Sequence, residues 1–212
     1  MKLYDYYRSS ASYRVRIALN IKNIRYERMP VHLIQEGGEQ NLPLYRELNP
    51  QGLVPTLIAN DQIITQSLAI IEYLEEIEPA PPLLPKDALG RAMVRSMALL
   101  IACETHPLNN LKVLNYLRHE LQCTEIQVKT WYHHWLKQSF DALEQRLTTS
   151  CRKQKLCYGN TVSIADIFLI PQVYNAHRFE FSMSNYPLIN EIYEHCCGLD
   201  AFKKAEPESL IG

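Results

Sequence analysis

A cluster of hydroxyl and guanidinium side chains lies close to the start of the chain. In chain order it consists of Arg8, Ser9, Ser10, Ser12 and Arg14. A strand pattern over Lys2–Tyr6 precedes the cluster, and a helical pattern over Ser12–Lys22 follows, with Arg14 and Arg16 off its apolar face. One serine is enough to cap a helix. The extra hydroxyls and the positive end of the helix dipole therefore favour a site for an anion such as a thiolate. An ordinary surface cap is the alternative.

A second motif, Asn49–Leu57, places Pro55 directly before a predicted strand. Proline cannot donate to a sheet ladder, so it marks an edge or a turn. If the Val54–Pro55 peptide bond is cis, the turn directs the N–H and C=O of Val54 outward, where they can pair with the backbone of a bound peptide. A trans proline at a strand start is the alternative.

A third motif, Gln66-Ser67, stands immediately before the helical pattern that begins at Leu68. Ser67 is a natural cap, Gln66 adds an amide, and the N–H groups of such a helix start can hold a carboxylate. A plain cap is again the alternative. We expect the three motifs to surround one end of a small sheet. Together they would hold a thiol, a backbone and an α-carboxylate, which are the parts of a short peptide such as glutathione.

The composition argues against several classes of function. A net charge of −1 over 212 residues argues against a protein built mainly to bind nucleic acid. The N terminus has no leader pattern and no apolar run is long enough for a bilayer, so we expect a cytosolic protein that does not contact membranes. The cysteines lack metal-site spacing, which predicts free thiols and no metal. They are Cys103, Cys123, Cys151, Cys157, Cys196 and Cys197.

The two halves of the chain have different secondary-structure patterns. The first predicts a strand, a helix and a second strand at Arg25–Val31, then a hairpin over Thr56–Thr65 and a helix over Ser67–Glu78. The prolines of residues 78–82 indicate a linker, placed at 79–85. Only helical periodicity follows, over Leu89–Leu121, Glu125–Leu147, Ser163–Phe179, Pro187–Cys197 and a short piece near Leu199–Ala205. We therefore expect an α/β domain at 1–80 and an all-α domain at 86–212.

Two further patterns predict structure and carry no chemistry. Ser163–Asp166 has the S-x-x-D spacing of a capping box at the start of a helix. The aromatic run Trp131–Trp135 falls within a helical pattern, which favours packing in the core over ligand binding.

These motifs resemble those of the glutathione transferases. The NP-x-G-x-VP-T-L segment at Asn49–Leu57 and the Q-S-x-A-I-x-x-Y-L segment at Gln66–Leu74 are similar to the hallmarks of that family's thioredoxin-like domain. A narrower resemblance, to the zeta class of maleylacetoacetate isomerases, is carried by Arg8–Leu19, Glu36–Gln40, Pro107–Leu114 and Pro171–Phe179. It extends over essentially the whole chain. It implies a thioredoxin-like domain followed by a helical bundle, in a cytosolic homodimer of tyrosine and phenylalanine breakdown.

The resemblance also implies which residues bind glutathione. Ser9 would donate a hydrogen bond to the thiolate, with Ser10 beside it as the other catalytic hydroxyl. The further implied glutathione-binding positions are Ala11, Ser12, Tyr13, Arg14, Gln40, Val54, Gln66, Ser67, His106, Asn110, Leu111 and Lys112. The family usually has a cysteine where this chain has Ala11, and often a glutamine where it has His106. Serine and the helix dipole would therefore act without a protein thiol.

The implied reaction converts 4-maleylacetoacetate to 4-fumarylacetoacetate by reversible addition of the glutathione thiolate to the double bond. A helix N terminus with a hydroxyl donor lowers a thiol pKa, and the site must also stabilise an enolate. The substrate is a dicarboxylate, so guanidinium groups are expected to bind it. Arg8, beside the serine cluster, is the stronger candidate and Arg178, on the late helix, is the weaker one.

Other functions stay open on the sequence alone. The same groups would serve maleylpyruvate isomerisation, or glutathione transfer to small α-halo acids. A glutathione-transferase-like binding protein without turnover is a third possibility. The intact serine cluster and the intact Gln66-Ser67 pair disfavour it.

Overall fold

The computed structural model describes residues 1–149 and 155–210. The strands are β1 (Lys2–Asp5), β2 (Glu27–Pro30), β3 (Thr56–Ala59) and β4 (Gln62–Thr65). The helices are α1 (Ser10–Ile21), α2 (Pro43–Leu48), α3 (Ser67–Ile77), α4 (Ala88–Leu99), α5 (Leu111–His119), α6 (Glu125–Thr149), α7 (Ile164–Arg178), α8 (Pro187–Cys197) and α9 (Asp200–Lys203). Short 3₁₀ turns lie at Gln35–Gly37, Glu39–Asn41 and Glu208–Leu210.

The chain divides into two compact units. One unit contains Met1–Pro82 together with the chain from Gly198 onward, and the other contains Leu83–Cys197. The sequence places everything from 86 to 212 in the helical domain, whereas the structure groups the last segment with the first unit. Long-range hydrogen bonds explain this grouping. The Arg16 side chain donates to the carbonyl of Ala205 at 3.1 Å, and that of Asn20 donates to the carbonyl of Ala201 at 2.9 Å.

A four-stranded mixed sheet organises the first unit, in the order β2-β1-β3-β4. β1 pairs in parallel with β2 and antiparallel with β3, and β3 and β4 form an antiparallel hairpin. Asn60 and Asp61 turn the hairpin with φ of 49° and 60°, a conformation that asparagine and aspartate tolerate better than most residues. The predicted hairpin over Thr56–Thr65 is confirmed.

Buried arginines on α1 are the main departure from the sequence expectation in this unit. Arg14 and Arg16, expected away from the apolar face, are only 2% and 0% exposed. Arg16 forms an ion pair with the fully buried Asp5 at 2.9 Å and donates to the carbonyl of Tyr7 at 2.9 Å. Helical periodicity does not identify a charge whose partner lies on a different element. These bonds fix the end of β1 relative to the first turns of α1.

The predicted single helix over Leu89–Leu121 is wrong. The α-helix ends at Leu99, and a π-helical segment follows at Leu100–Thr105, where the N–H of His106 reaches back to the carbonyl of Ile101. Pro107 then has no N–H to continue the helix. A new helix begins after Asn110, whose side chain accepts from the Lys112 N–H at 3.1 Å. Apolar periodicity runs through this break, so the pattern alone does not reveal it.

Asp166 and the aromatic run have structural roles in the second unit. The capping box is confirmed, because the buried carboxylate of Asp166 accepts from the N–H of Ser163 at 2.8 Å and of Cys157 at 2.7 Å. Tyr132 is buried and stacks on Phe179 with ring centroids 3.8 Å apart. The five described cysteines are free thiols, and Cys151 lies outside the described residues.

Candidate functional site

The strand register places one end of each of the four strands at the same edge of the sheet. Tyr4 lies opposite Thr56, Thr56 lies opposite Thr65, and Asp5 lies opposite Pro30. The chain after β1, the chain after β2, the turn before β3 and the start of α3 therefore meet at this edge. The three sequence motifs lie on three of these segments. The expectation that they surround one end of a small sheet is confirmed.

Ser9 is the N-cap of α1. Its hydroxyl oxygen accepts from the Ser12 N–H at 3.2 Å, and its carbonyl accepts from the Tyr13 N–H at 2.8 Å. A hydroxyl that accepts in this way still has one hydrogen to donate. Within the described residues, no acceptor takes that hydrogen. Ser9 is half-buried, so capping and donation to a ligand are compatible roles for the same side chain.

The other hydroxyls of the cluster are less accessible. Ser10 is 5% exposed, and Ser12, which also belongs to the first turn of α1, is fully buried. Tyr13 is 2% exposed, while Ala11 is half-buried. The first turn contains no acidic residue, so the positive end of the helix dipole is not neutralised there by a carboxylate of its own. Accessibility thus distinguishes Ser9 from its neighbours, which sequence spacing does not do.

The turn before β3 presents a free backbone edge. The Val54–Pro55 bond is cis, as the outward-facing turn required. In the described part of the chain, no hydrogen bond uses the N–H or C=O of Val54. The preceding carbonyl, of Leu53, accepts from the Tyr45 hydroxyl and the Asn49 amide, each at 2.8 Å. Burial raises the pKa of Tyr45, so its phenol keeps the proton that makes this bond.

Gln66 has a backbone conformation that non-glycine residues rarely adopt. Its φ is 72° and its ψ is 120°, at the position that caps α3. Such a conformation costs on the order of 1–3 kcal/mol and is found preferentially at binding sites. The Gln66 amide donates to the Gln51 side chain at 2.8 Å. The buried Ser67 accepts from the Arg14 guanidinium at 3.4 Å.

Gln40 lies on the segment that follows β2. Its amide nitrogen donates to the carbonyl of Leu33 at 3.3 Å, whereas its amide oxygen is buried without a hydrogen-bond partner in the described residues. His32 shapes the same segment, because its ring nitrogen Nδ1 accepts from the N–H of Gln35 at 3.0 Å. The Glu39 carboxylate accepts from the His32 N–H at 2.6 Å. The unpaired oxygen of Gln40 can therefore accept a hydrogen bond from a ligand.

The residues that connect these segments were not predicted from the sequence. Gln51 joins the turn before β3 to the start of α3, and His32 and Glu39 close the segment that carries Gln40. Gln51 falls inside the Asn49–Leu57 motif, so its position could have been noticed. Hydrogen bonds between side chains on separate loops leave no periodic signal, so the pairing of Gln51 with Gln66 could not be predicted.

The remaining predicted residues have these surroundings. Arg8 is exposed, with its guanidinium carbon 5.0 Å from the centre of the Tyr7 ring. In the second unit, Arg178 is exposed at the end of α7 and donates to Asn175 at 3.4 Å. His106 ends the π-helical segment, Asn110 caps α5, Leu111 is half-buried at its first position, and Lys112 is exposed. Both arginines therefore have accessible guanidinium groups.

Neither a cluster of metal ligands nor a membrane-spanning helix occurs in the described part of the chain. Across residues 1–149 and 155–210, no three His, Cys, Asp or Glu side chains gather as metal ligands would. No helix in those ranges has the length and apolar character needed to cross a bilayer.

Comparison with known proteins gives the family of this chain. Residues 3–82 match the family model for the N-terminal domain of glutathione S-transferases. A probable maleylacetoacetate isomerase of Vibrio cholerae is 47% identical, over 98% of this chain and 95% of its own length. A solved maleylpyruvate isomerase, described as a bacterial zeta-class glutathione S-transferase, is 43% identical with a TM-score of 0.96, over 100% of this chain and 99% of that one.

A third similar protein was solved with ligands. This maleylacetoacetate isomerase of Methylobacterium extorquens AM1, with bound malonate and glutathione, is 37% identical with a TM-score of 0.93, over 98% of this chain and 96% of that one. Identity at this level along almost the full length agrees with the thioredoxin-like sheet and the helical unit described above. The chain therefore belongs to the zeta-class glutathione transferases, the family of the maleylacetoacetate isomerases.

Proposed function

We propose that this protein is a glutathione-dependent cis–trans isomerase of a small unsaturated dicarboxylate, with 4-maleylacetoacetate as the first candidate substrate and 4-fumarylacetoacetate as product. The observation that carries the proposal is the convergence of Ser9, the Val54 backbone and Gln66 at one edge of the sheet. The names of its relatives support the reaction, and the relative with bound malonate and glutathione supports the two ligand classes.

The described residues fit glutathione. The buried, unpaired oxygen of Gln40 and the unused N–H and C=O of Val54 suit a peptide backbone. The start of α3, with Gln66 and Ser67, suits the α-carboxylate of the γ-glutamyl end. The start of α1, over Ser10–Arg14, suits the sulfur. The roles of His106, Asn110, Leu111 and Lys112 stay predictions.

Bound glutathione would supply the thiolate that adds reversibly to the cis double bond and so permits rotation. Ser9 donates its free hydroxyl hydrogen towards that sulfur, and the Ser12 N–H polarises the hydroxyl by donating to its oxygen. The positive end of α1 also lowers the thiol pKa, because it stabilises the thiolate. Ala11 adds no thiol to this group. Serine and the helix dipole are therefore sufficient for activation in this proposal.

Arg8 binds a carboxylate of the dicarboxylate substrate in this proposal. Replacing it with methionine is expected to raise the KM for the diacid by about tenfold, the scale of one charge-assisted hydrogen bond to a carboxylate. Steady-state kinetics with the diacid and glutathione varied separately measures this. A variant in which only the KM for glutathione rises would contradict the assignment.

In this proposal, the strained backbone of Gln66 is maintained because it places the side chain where glutathione binds. Gln66→Gly is expected to raise the KM for glutathione about tenfold or more, because a hydrogen bond to a charged ligand group is lost. Its Tm should stay equal or increase, since glycine adopts a φ of 72° without steric cost. Gln66→Ala is the matched control, which loses the side chain and keeps the strain. A clear fall in Tm for Gln66→Gly would contradict this account.

An ultraviolet-monitored isomerase assay with and without added glutathione tests the function. Parallel assays with maleylpyruvate and dichloroacetate separate the alternatives, and the solved maleylpyruvate isomerase makes maleylpyruvate the second candidate substrate. Full turnover without glutathione would refute the proposal. Glutathione binding without turnover on any of the three compounds would favour a binding protein.

The cellular setting belongs to the same proposal. The isomerase would act as a cytoplasmic homodimer in tyrosine and phenylalanine breakdown, as the family resemblance implies. Sedimentation of the purified protein measures the oligomeric state, and growth of a deletion strain on tyrosine tests the pathway.

A further inference from the structure

Arg46 connects two segments of the site and belongs to none of the sequence motifs. It lies on α2 with an exposed side chain. One guanidinium nitrogen donates to the carbonyl of Pro50 at 2.7 Å, and another donates to the side-chain oxygen of Asn41 at 3.1 Å. Asn41 adjoins Gln40, and Pro50 begins the turn that leads to Val54. The Arg46 guanidinium thus links the segment after β2 to the turn before β3, and we call this link the Arg46 bridge.

Further contacts surround the Arg46 bridge at both of its ends. Asn41 uses its oxygen for Arg46, and its amide nitrogen donates to the carbonyl of Gly37 at 2.8 Å. At the other end the guanidinium lies against Gly52, where an added Cβ would stand 2.5 Å from the Arg46 Cζ. Gly52 also has a φ of 61°, a backbone conformation that favours glycine.

We propose that Arg46 is a positioning residue for glutathione binding, which keeps Gln40 and the Val54 backbone at the spacing that one bound peptide requires. The inference rests on the function proposed above. Arg46 acts through Asn41 and Pro50 and touches neither sulfur nor diacid. Without the bridge, a smaller fraction of molecules has the competent spacing, and the apparent Kd for glutathione rises by the reciprocal of that fraction. Saturating glutathione restores the competent spacing, so kcat is retained.

Kinetics of three variants test this role. Arg46→Met is expected to raise the KM for glutathione by about tenfold, the scale of two solvent-exposed, charge-assisted hydrogen bonds, with kcat and the diacid KM unchanged. Arg46→Lys keeps the charge but lacks the planar fork, so it should restore only part of the affinity. Arg25→Met is the matched control, because Arg25 is also exposed in the first unit. It should behave as wild type.

A double-mutant cycle identifies the partner. If Arg46 acts through Asn41, then Arg46→Met in an Asn41→Ala background should raise the KM for glutathione by clearly less than it does alone. The proposal would be overturned if the effects of the two substitutions on the KM for glutathione were fully additive, or if Arg46→Met left that KM unchanged. It would also be overturned if Arg46→Met lowered kcat by the same factor as it raised KM, or if Arg46→Lys restored the wild-type KM in full.

Hydrogen exchange of the ligand-free protein separates this inference from the proposed function. Backbone amides of residues 32–41 should exchange faster in Arg46→Met than in wild type or Arg25→Met. This readout needs no glutathione. A wild-type enzyme that is indifferent to glutathione would refute the proposed function, whereas unchanged exchange in Arg46→Met would refute the bridge.

Discussion

Replacing Ser9 with alanine is expected to lower kcat by about 100-fold or more, the scale of losing one preorganised donor to a developing anion. The structure supports this expectation because the Ser9 hydroxyl has a hydrogen to donate, lies half-buried at the start of α1 and is more accessible than Ser10. Rapid-mixing or steady-state measurement of kcat at saturating glutathione and diacid checks it. The thiolate fraction of bound glutathione, followed by its ultraviolet absorbance against pH, should fall in the same variant.

Three further variants separate the chemistry of Ser9 from its capping role. Ser9→Ala also removes a helix cap, which costs about 1 kcal/mol of stability. Ser9→Asp keeps an acceptor for the Ser12 N–H but cannot donate when ionised, so it should retain stability and lose activity. Ser9→Thr keeps both functions. Ser10→Ala should have a small effect on kcat. A near-normal kcat in Ser9→Ala would move the role to another group, with Ser10 examined first.

Replacing Arg16 with methionine is expected to reduce the free energy of unfolding by about 3–5 kcal/mol, because it removes the fully buried partner of a buried carboxylate. Asp5 then keeps only the partly exposed Arg28, at the longer distance of 3.4 Å. Asp5 and Arg16 have fully buried side chains with an N–O distance of 2.9 Å. The same guanidinium donates to the carbonyls of Tyr7 and Ala205, so the variant also weakens the segment before Ser9 and the attachment of the C-terminal segment. Urea unfolding followed by circular dichroism measures the loss.

Arg28→Met is the matched control for the buried ion pair. Arg28 lies 3.4 Å from the same oxygen of Asp5, but 27% of its side chain is exposed. Its loss leaves Asp5 paired with Arg16, so the expected cost is about 1 kcal/mol or less. Equal destabilisation by the two variants would show that burial of the pair is not what makes Arg16 important.

Local interactions explain what could be predicted from sequence. The hairpin over Thr56–Thr65 turns at two residues that favour a positive φ, and the Ser163–Asp166 box caps a helix within four residues. The α/β and all-α halves likewise follow from periodicity. The break at His106–Asn110 escaped prediction because apolar spacing continues through a π-helical segment. The burial of Arg16 escaped prediction because its partners Asp5 and Ala205 are 11 and 189 residues away.

The family, the segments that carry the proposed site and the residue types available there are evident from the sequence, since each depends on short motifs such as Asn49–Leu57. The accessibility of Ser9, the unpaired backbone groups of Val54 and the link that Arg46 makes between two loops become visible only in the folded chain. The physical reason is that strand register and inter-loop hydrogen bonds set these distances. Such contacts join residues whose separation along the chain has no fixed relation to their distance in space.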